Sequence, residues 1–186
     1  MKWIEYTENL HGLLNQLVFS DKSGREIPCD EAFNTLCDLT LKVKEDNKTI
    51  YAAGNGASAS IASHFAADLA KNGHLHTQVF SDLALITAVS NDLGYDQVFA
   101  EPLRRRGRTG DMLVLISSSG NSENLLNAAD TAEKLGVDIV TISAMKADNK
   151  LSRCGILNAY APAMSYGNAE SIHAAILHYW IDFIVK

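Results

Sequence analysis

Short runs that are apolar at successive positions, separated by stretches with a helical period, restrict this chain more than any other feature. "KTIYAAG" (48–54), "DMLVLIS" (111–117) and "VDIVTIS" (137–143) are such runs. A strand wetted on one face alternates apolar and polar residues, whereas a strand covered on both faces does not. Between the runs stand "ASASIASHFAADLAKNG" (57–73), closed by Gly73, and "SENLLNAADTAEKLG" (122–136), closed by Gly136. A glycine just past the last periodic residue is a helix stop. Doubly covered strands alternating with helices predict an α/β fold: a three-layer, open parallel sheet of flavodoxin-like type.

The other elements are read the same way. Residues 1–20 read as a helix through Ile4, Leu10, Leu14, Leu17 and Val18, broken by Gly24 and Pro28, and a second helix covers 30–45. "TQVFS" (77–81) and "ALITAVSND" (84–92) read as strand or turn segments, and "YDQVFAEPLRRRG" (95–107) as a helix bent at Pro102. "ILNAYAP" (156–162) reads as a strand, and 168–186 as a closing helix. The leading helix pair (1–46) falls outside the alternation, so it must cover one sheet face or face another subunit.

A chain of 186 residues suits one domain, 1–186. The net charge of -6 offers no basic face to nucleic acid. Cys29, Cys37 and Cys154 are odd in number and form no CxxC pair, which fits a reduced, cytoplasmic setting. The N-terminus carries Glu5 and Glu8 and no long apolar core, so it does not read as a signal peptide. No run approaches the ~20 apolar residues of a membrane span.

"VLISSSGNSENLLNAAD" (114–130) ends a buried strand in serines and then opens a helix. Ligands of open α/β sheets lie at the carboxyl ends of strands. Gly120 permits a tight turn, Ser122 sits where an N-cap belongs, and Glu123 adds an acid to the first turn. Hydroxyls of Ser117, Ser119 and Ser122, with the free N–H groups of the helix start, make an anion cradle. The loop has no lysine, so a phosphate monoester fits better than a nucleoside triphosphate. "AAGNGASAS" (52–60) repeats the design after the first strand, with Asn55 and Ser58 as polar groups. No acid follows a second strand at the spacing a nicotinamide site needs, which disfavours a dehydrogenase.

His64 and Asp68 are four apart on one helix and share a face, which also describes an ordinary surface pair. The last helix offers Glu170, His173 and His178. Two groups from each helix would make a nitrogen–oxygen site for a divalent metal, zinc being the usual choice. His11, His74 and His76 read as surface residues.

The order GNG-x-S, H-F-x-x-[ED]-L, S-N-D-x-G-Y-D, S-x-S-G-N-S, then an acid or amide and a histidine on a last helix, resembles the sugar isomerase (SIS) domain family. Within it the chain is most similar to phosphoheptose isomerases, across nearly its whole length. The resemblance implies a phosphate site at Ser117, Ser118, Ser119 and Ser122 with Ser58 near by. It implies a sugar pocket lined by Asn55, Gly56, Ala57 and Glu170, with Asn91 and Asp92 on hydroxyls. It implies zinc on His64, Asp68, Glu170 and His178, with Asp68 and His178 as the acid/base pair. It further implies a homotetramer, or at least a dimer, with sites between subunits, where the leading helices would find their burial. The implied reaction is aldose–ketose isomerisation of sedoheptulose 7-phosphate to glycero-manno-heptose 7-phosphate through an enediol(ate), in heptose supply for lipopolysaccharide or capsule. The chain departs from the pattern at Ala57 in place of the second glycine of GNGGS, at Asp68 in place of Glu, at Glu170 in place of Gln, and at Gly167 in place of an acid. The competing readings are a non-catalytic SIS domain, sensing a sugar phosphate or binding a protein such as a replication initiator, and a lyase or deaminating isomerase on the same fold.

Overall fold

The computed structural model describes residues 2–185. In chain order its elements are α1 (Trp3–Leu14), β1 (Val18–Ser20), β2 (Glu26–Ile27), α2 (Cys29–Glu45), β3 (Thr49–Gly54), α3 (Ala57–Lys71), β4 (His76–Val79), α4 (Leu83–Leu93), α5 (Ala100–Arg106), β5 (Met112–Ser117), α6 (Glu123–Leu135), β6 (Asp138–Ala144), β7 (Leu157–Ala161) and α7 (Tyr166–Val185). One sheet orders the strands β2-β1-β7-β6-β5-β3-β4. The five strands from β7 to β4 run parallel, as the doubly apolar runs require.

The alternation hidden in those runs appears in the packing. Ile50, Ala52, Met112, Val114, Ile116, Val140 and Ile142 point into one core, shared with residues of α2, α3 and α7. Tyr51, Ala53, Leu113, Leu115 and Ile139 point into the other, against residues of α5 and α6 and Val89 of α4. β3, β5 and β6 therefore each feed two cores, and β5 is buried at all six positions. Fully burying a Leu, Ile or Val side chain contributes about 1.5–3 kcal/mol, so β5 anchors both layers. The indole N–H of Trp180 on α7 donates to the Thr40 hydroxyl on α2 at 3.0 Å, both residues being fully buried.

Three readings of the sequence are corrected. The first helix ends at Leu14, and Val18–Ser20 instead runs antiparallel to β7, extending the parallel sheet at one edge with β2 beyond it. Phe19 drives this, because as a strand residue it is 1% exposed. The turn before β2 is closed by the Asp21 carboxylate, which accepts from the Ser23 hydroxyl and the Ser23 and Arg25 amides and is held near pKa 2 by those bonds. "ALITAVSND" lies in a helix, started by Asp82, whose carboxylate accepts from the Leu85 amide at 2.8 Å. The stretch 95–107 splits into a 3-10 turn (Tyr95–Gln97) and α5. Pro102 is the third residue of α5, where no N–H is needed, so it accommodates the helix.

The leading pair divides its roles. α2 buries Ala32, Phe33, Leu36, Thr40 and Val43, whereas α1 buries none of its residues and leaves Trp3 and Ile4 exposed. The three cysteines are free thiols, and among the described residues no helix is long and apolar enough to cross a membrane.

Candidate active site

From β3 the chain steps outward to β4, then returns to lay β5 on the other side of β3. That reversal lies between β3 and β5, and it opens a crevice at their carboxyl ends. The two polar loops noted in the sequence are the loops that leave those two strands. A cavity of about 160 Å³ sits there, lined by Asn55, Ser58, Ser117, Ser118, Ser119, Ser122, Ile116, Tyr166 and Glu170.

The serine loop is rigid by construction. The Ser117 hydroxyl accepts from the Gly120 amide at 3.1 Å, and the Ser119 hydroxyl accepts from the Asn121 amide at 3.3 Å. Gly120 has φ +62°, and a Cβ on it would lie 1.9 Å from the Asn149 amide oxygen. Only glycine meets both conditions. From behind, the Leu151 amide donates to the Gly120 carbonyl at 2.9 Å, and the Lys150 amide donates to the Asn121 side chain at 3.1 Å. Asn149 is 2% exposed and donates to the hydroxyl of Ser143 at 3.1 Å. Ser122 occupies the N-cap of α6 yet makes no capping bond, so its hydroxyl is not engaged by its own helix. The first amides of a helix have no partner within it and so are free for an anion. No Lys or Arg lines the cavity, and its one ionisable carboxyl is Glu170.

Asn55 is held across the crevice. Its amide and that of Asn124 on α6 exchange hydrogen bonds at 3.0 and 2.9 Å, and the Tyr95 hydroxyl donates to the Asn55 oxygen at 2.9 Å. Tyr95 belongs to the S-N-D-x-G-Y-D motif but had no role assigned from sequence, and Asn124 did not stand out, because nothing in local spacing announces a pair 69 residues apart.

A second group lies further along α3 and α7, which run side by side. His64, Asp68 and His178 each offer a ligand atom, and those atoms all lie within 4.8 Å of one another. The His64 Nε2 stands 3.3 Å from the Asp68 carboxylate, and the His64 and His178 rings meet edge-on at 5.1 Å. Two imidazoles and a carboxylate, partly open to solvent, are a donor set suited to a divalent ion of zinc type with free positions left over. Glu170 is outside this group. It precedes His178 by eight residues, about 12 Å of helix, and lies with the serines instead.

Gly56 and Ala57 form the turn beside the serine cavity without lining it, and Gly56 takes φ +57° there. Asn91 and Asp92 stand apart from the serine cavity. Asn91 donates to Asp92 at 2.8 Å, and Asp92 lines a groove between α4 and α5. The helical form of α4 is what carries them to its far end. His173 is fully buried, both ring nitrogens lack a hydrogen-bond partner, and burial pushes the imidazole down to about 4 against a smaller opposing pull from the Ser143 backbone.

The seven-stranded sheet, the crevice at its reversal and the serine loop define a class, and comparison with known proteins agrees. The sequence profile of the SIS domain matches residues 26–144, more than half of the chain, and the chain belongs to that family. Its place within the family is among the phosphoheptose isomerases. It is 32% identical over 148 residues to that enzyme from Campylobacter concisus, covering 76% of this chain and 78% of the relative. It is 34% identical over 157 residues to that of Akkermansia muciniphila, covering 81% of each. The structure of phosphoheptose isomerase GmhA from Neisseria gonorrhoeae superposes with a TM-score of 0.77 at 30% identity, covering 83% of this chain and 86% of that one.

Proposed function

We propose that the protein isomerises sedoheptulose 7-phosphate to glycero-manno-heptose 7-phosphate. The observation that carries this is the placement of two different kinds of group on the same pair of helices. α3 carries Ser58 at the cavity and then His64 and Asp68. α7 carries Glu170 at the cavity and then His178. Helix rise puts about 9 Å between Ser58 and His64, and about 12 Å between Glu170 and His178. A long sugar phosphate can span that interval, with its phosphate in the serine loop and its first two carbons near the histidines.

In this reading Ser117, Ser118, Ser119, Ser122 and Ser58 hold the phosphate with the first amides of α6, fixing the chain for reaction at its other end. Asn55 and Glu170 bind polar groups along the substrate, Glu170 as an acceptor for hydroxyls. Asp68 takes a proton from C1 of the ketose to give an enediol, and the proton returns at C2 to give the aldose. His178 exchanges protons with the two oxygens. A zinc ion held by His64, Asp68 and His178 would, when bound, polarise the carbonyl and offset enediolate charge. We further propose that residues 1–186 act as one domain, assembled as a homotetramer or at least a dimer through faces such as the uncovered one of α1, in the cytoplasm.

The test is a coupled assay of the purified protein on sedoheptulose 7-phosphate, with zinc added and then chelated, beside His64→Ala. Turnover that requires both zinc and His64 supports the reading. Binding without turnover would move the chain to the phosphosugar-sensing class instead.

A further inference from the structure

We infer that Asn124 and Tyr95 are positioning residues, which lock the Asn55 amide so that it presents one N–H, and no oxygen, to the bound sugar phosphate. The inference rests on the sugar-phosphate reading of the cavity.

An asparagine side chain has one oxygen with two lone pairs and a nitrogen with two hydrogens. Both acceptor sites of Asn55 are taken, one by the Asn124 amide at 2.9 Å and one by the Tyr95 hydroxyl at 2.9 Å. One of its two hydrogens is taken by the Asn124 oxygen at 3.0 Å. One hydrogen is left, on a residue that lines the cavity. Asn124 is 3% exposed, so its half of the pair is shielded from water and would be costly to leave unpaired.

Orientation matters because the two ends of the amide have opposite meaning for an anion. The N–H attracts phosphate or sugar oxygen, while the carbonyl repels it. An unheld Asn55 would sample both orientations. The clasp also joins the two ligand loops across the sheet reversal, since Asn55 follows β3 and Asn124 lies in the first turn of α6. Tyr95 lies in the 3-10 turn after α4, and the Asn127 amide on α6 holds that turn through the carboxylate and carbonyl of Asp96, both at 3.1 Å. The tyrosine is thereby fixed in place from α6 as well.

The experiment is a double-mutant cycle on KM and kcat for sedoheptulose 7-phosphate with Asn55→Ala, Asn124→Ala and the pair, plus Tyr95→Phe. Inorganic phosphate serves as a competitive probe of the cavity. If Asn124 acts through Asn55, each single alanine variant raises KM about tenfold, with kcat changed far less, and the double variant is no worse than Asn55→Ala alone. Tyr95→Phe removes one hydroxyl from a half-exposed ring, so it should raise KM a few-fold without a change in Tm. Additive KM effects in the cycle, or Tyr95→Phe with wild-type KM, would overturn the inference while leaving the isomerase reading intact. If Asn124→Ala fails to fold, Tyr95→Phe decides the matter. A wild-type protein that neither turns over the sugar phosphate nor binds it would overturn both.

Discussion

Replacing His173 by leucine should make the protein less sensitive to acid. His173 sits fully buried on α7 with neither ring nitrogen bonded, and its imidazole is pushed down to about 4. In the unfolded chain the same group titrates near 6.5. Between those values the unfolded state binds a proton that the folded state refuses, so stability falls as pH drops below about 6.5 and continues to fall until about 4. The full difference is on the order of 3 kcal/mol, of which about 2 kcal/mol is lost between pH 7.5 and pH 5. The leucine variant has no proton to take up and leaves no buried nitrogen unpaired. Urea unfolding of both proteins at pH 7.5 and at pH 5, at one protein concentration, reads the effect directly. The wild type should lose about 2 kcal/mol more than the variant across that interval. Equal losses would refute the reasoning and would mean that His173 finds a protonation partner in the folded protein.

Three further outcomes follow from packing and from the proposed division of the site. Gly120→Ala must displace either the serine loop or Asn149, so it should lower stability by about 1–3 kcal/mol in chemical denaturation and abolish phosphate competition in the isomerase assay. Ser119→Ala should remove the protection that sedoheptulose 7-phosphate gives against heating, whereas Asp68→Ala should keep it and lose turnover. Equal loss of protection in both would argue against separate anchoring and chemical roles. Trp180→Phe removes the donor to Thr40 and buried ring volume, and should cost about 1–3 kcal/mol by urea unfolding.

The parts of the fold that were legible in the sequence are those where one local pattern had one meaning. A run such as Met112–Ile116, apolar throughout and followed by a glycine-containing loop and a helix stopped at Gly136, has few structural alternatives. The serine loop was visible for the same reason. Where a pattern had two meanings, the reading failed. Residues 83–89 are apolar except for Thr87 and partly β-branched, which suits a strand as well as a helix, and only the Asp82 cap separates the two. β1 and β2 are three and two residues long, too short for a period; β1 depends on its antiparallel partner β7 more than 130 residues away, and β2 in turn on β1. In the candidate site, His64, Asp68 and His178 were recognisable from helical spacing combined with family resemblance. The partners of Asn55 were not, because a hydrogen bond between loops leaves no periodic trace. The same holds for Glu170, whose side was decided by which cavity the turn of α7 faces.

The shared course of α3 and α7 acts as a ruler that is graduated in helical turns. Adding one residue between Glu170 and His178 would lengthen the interval by about 1.5 Å but swing His178 about 100° around the helix. The gap between the two ends of the site cannot be tuned by single insertions. It changes in jumps of three or four residues, or not at all. Adaptation to a shorter or longer substrate is thus confined to exchanging side chains along the scale, and positions 68 and 170, where the chain departs from the family pattern, lie on that scale.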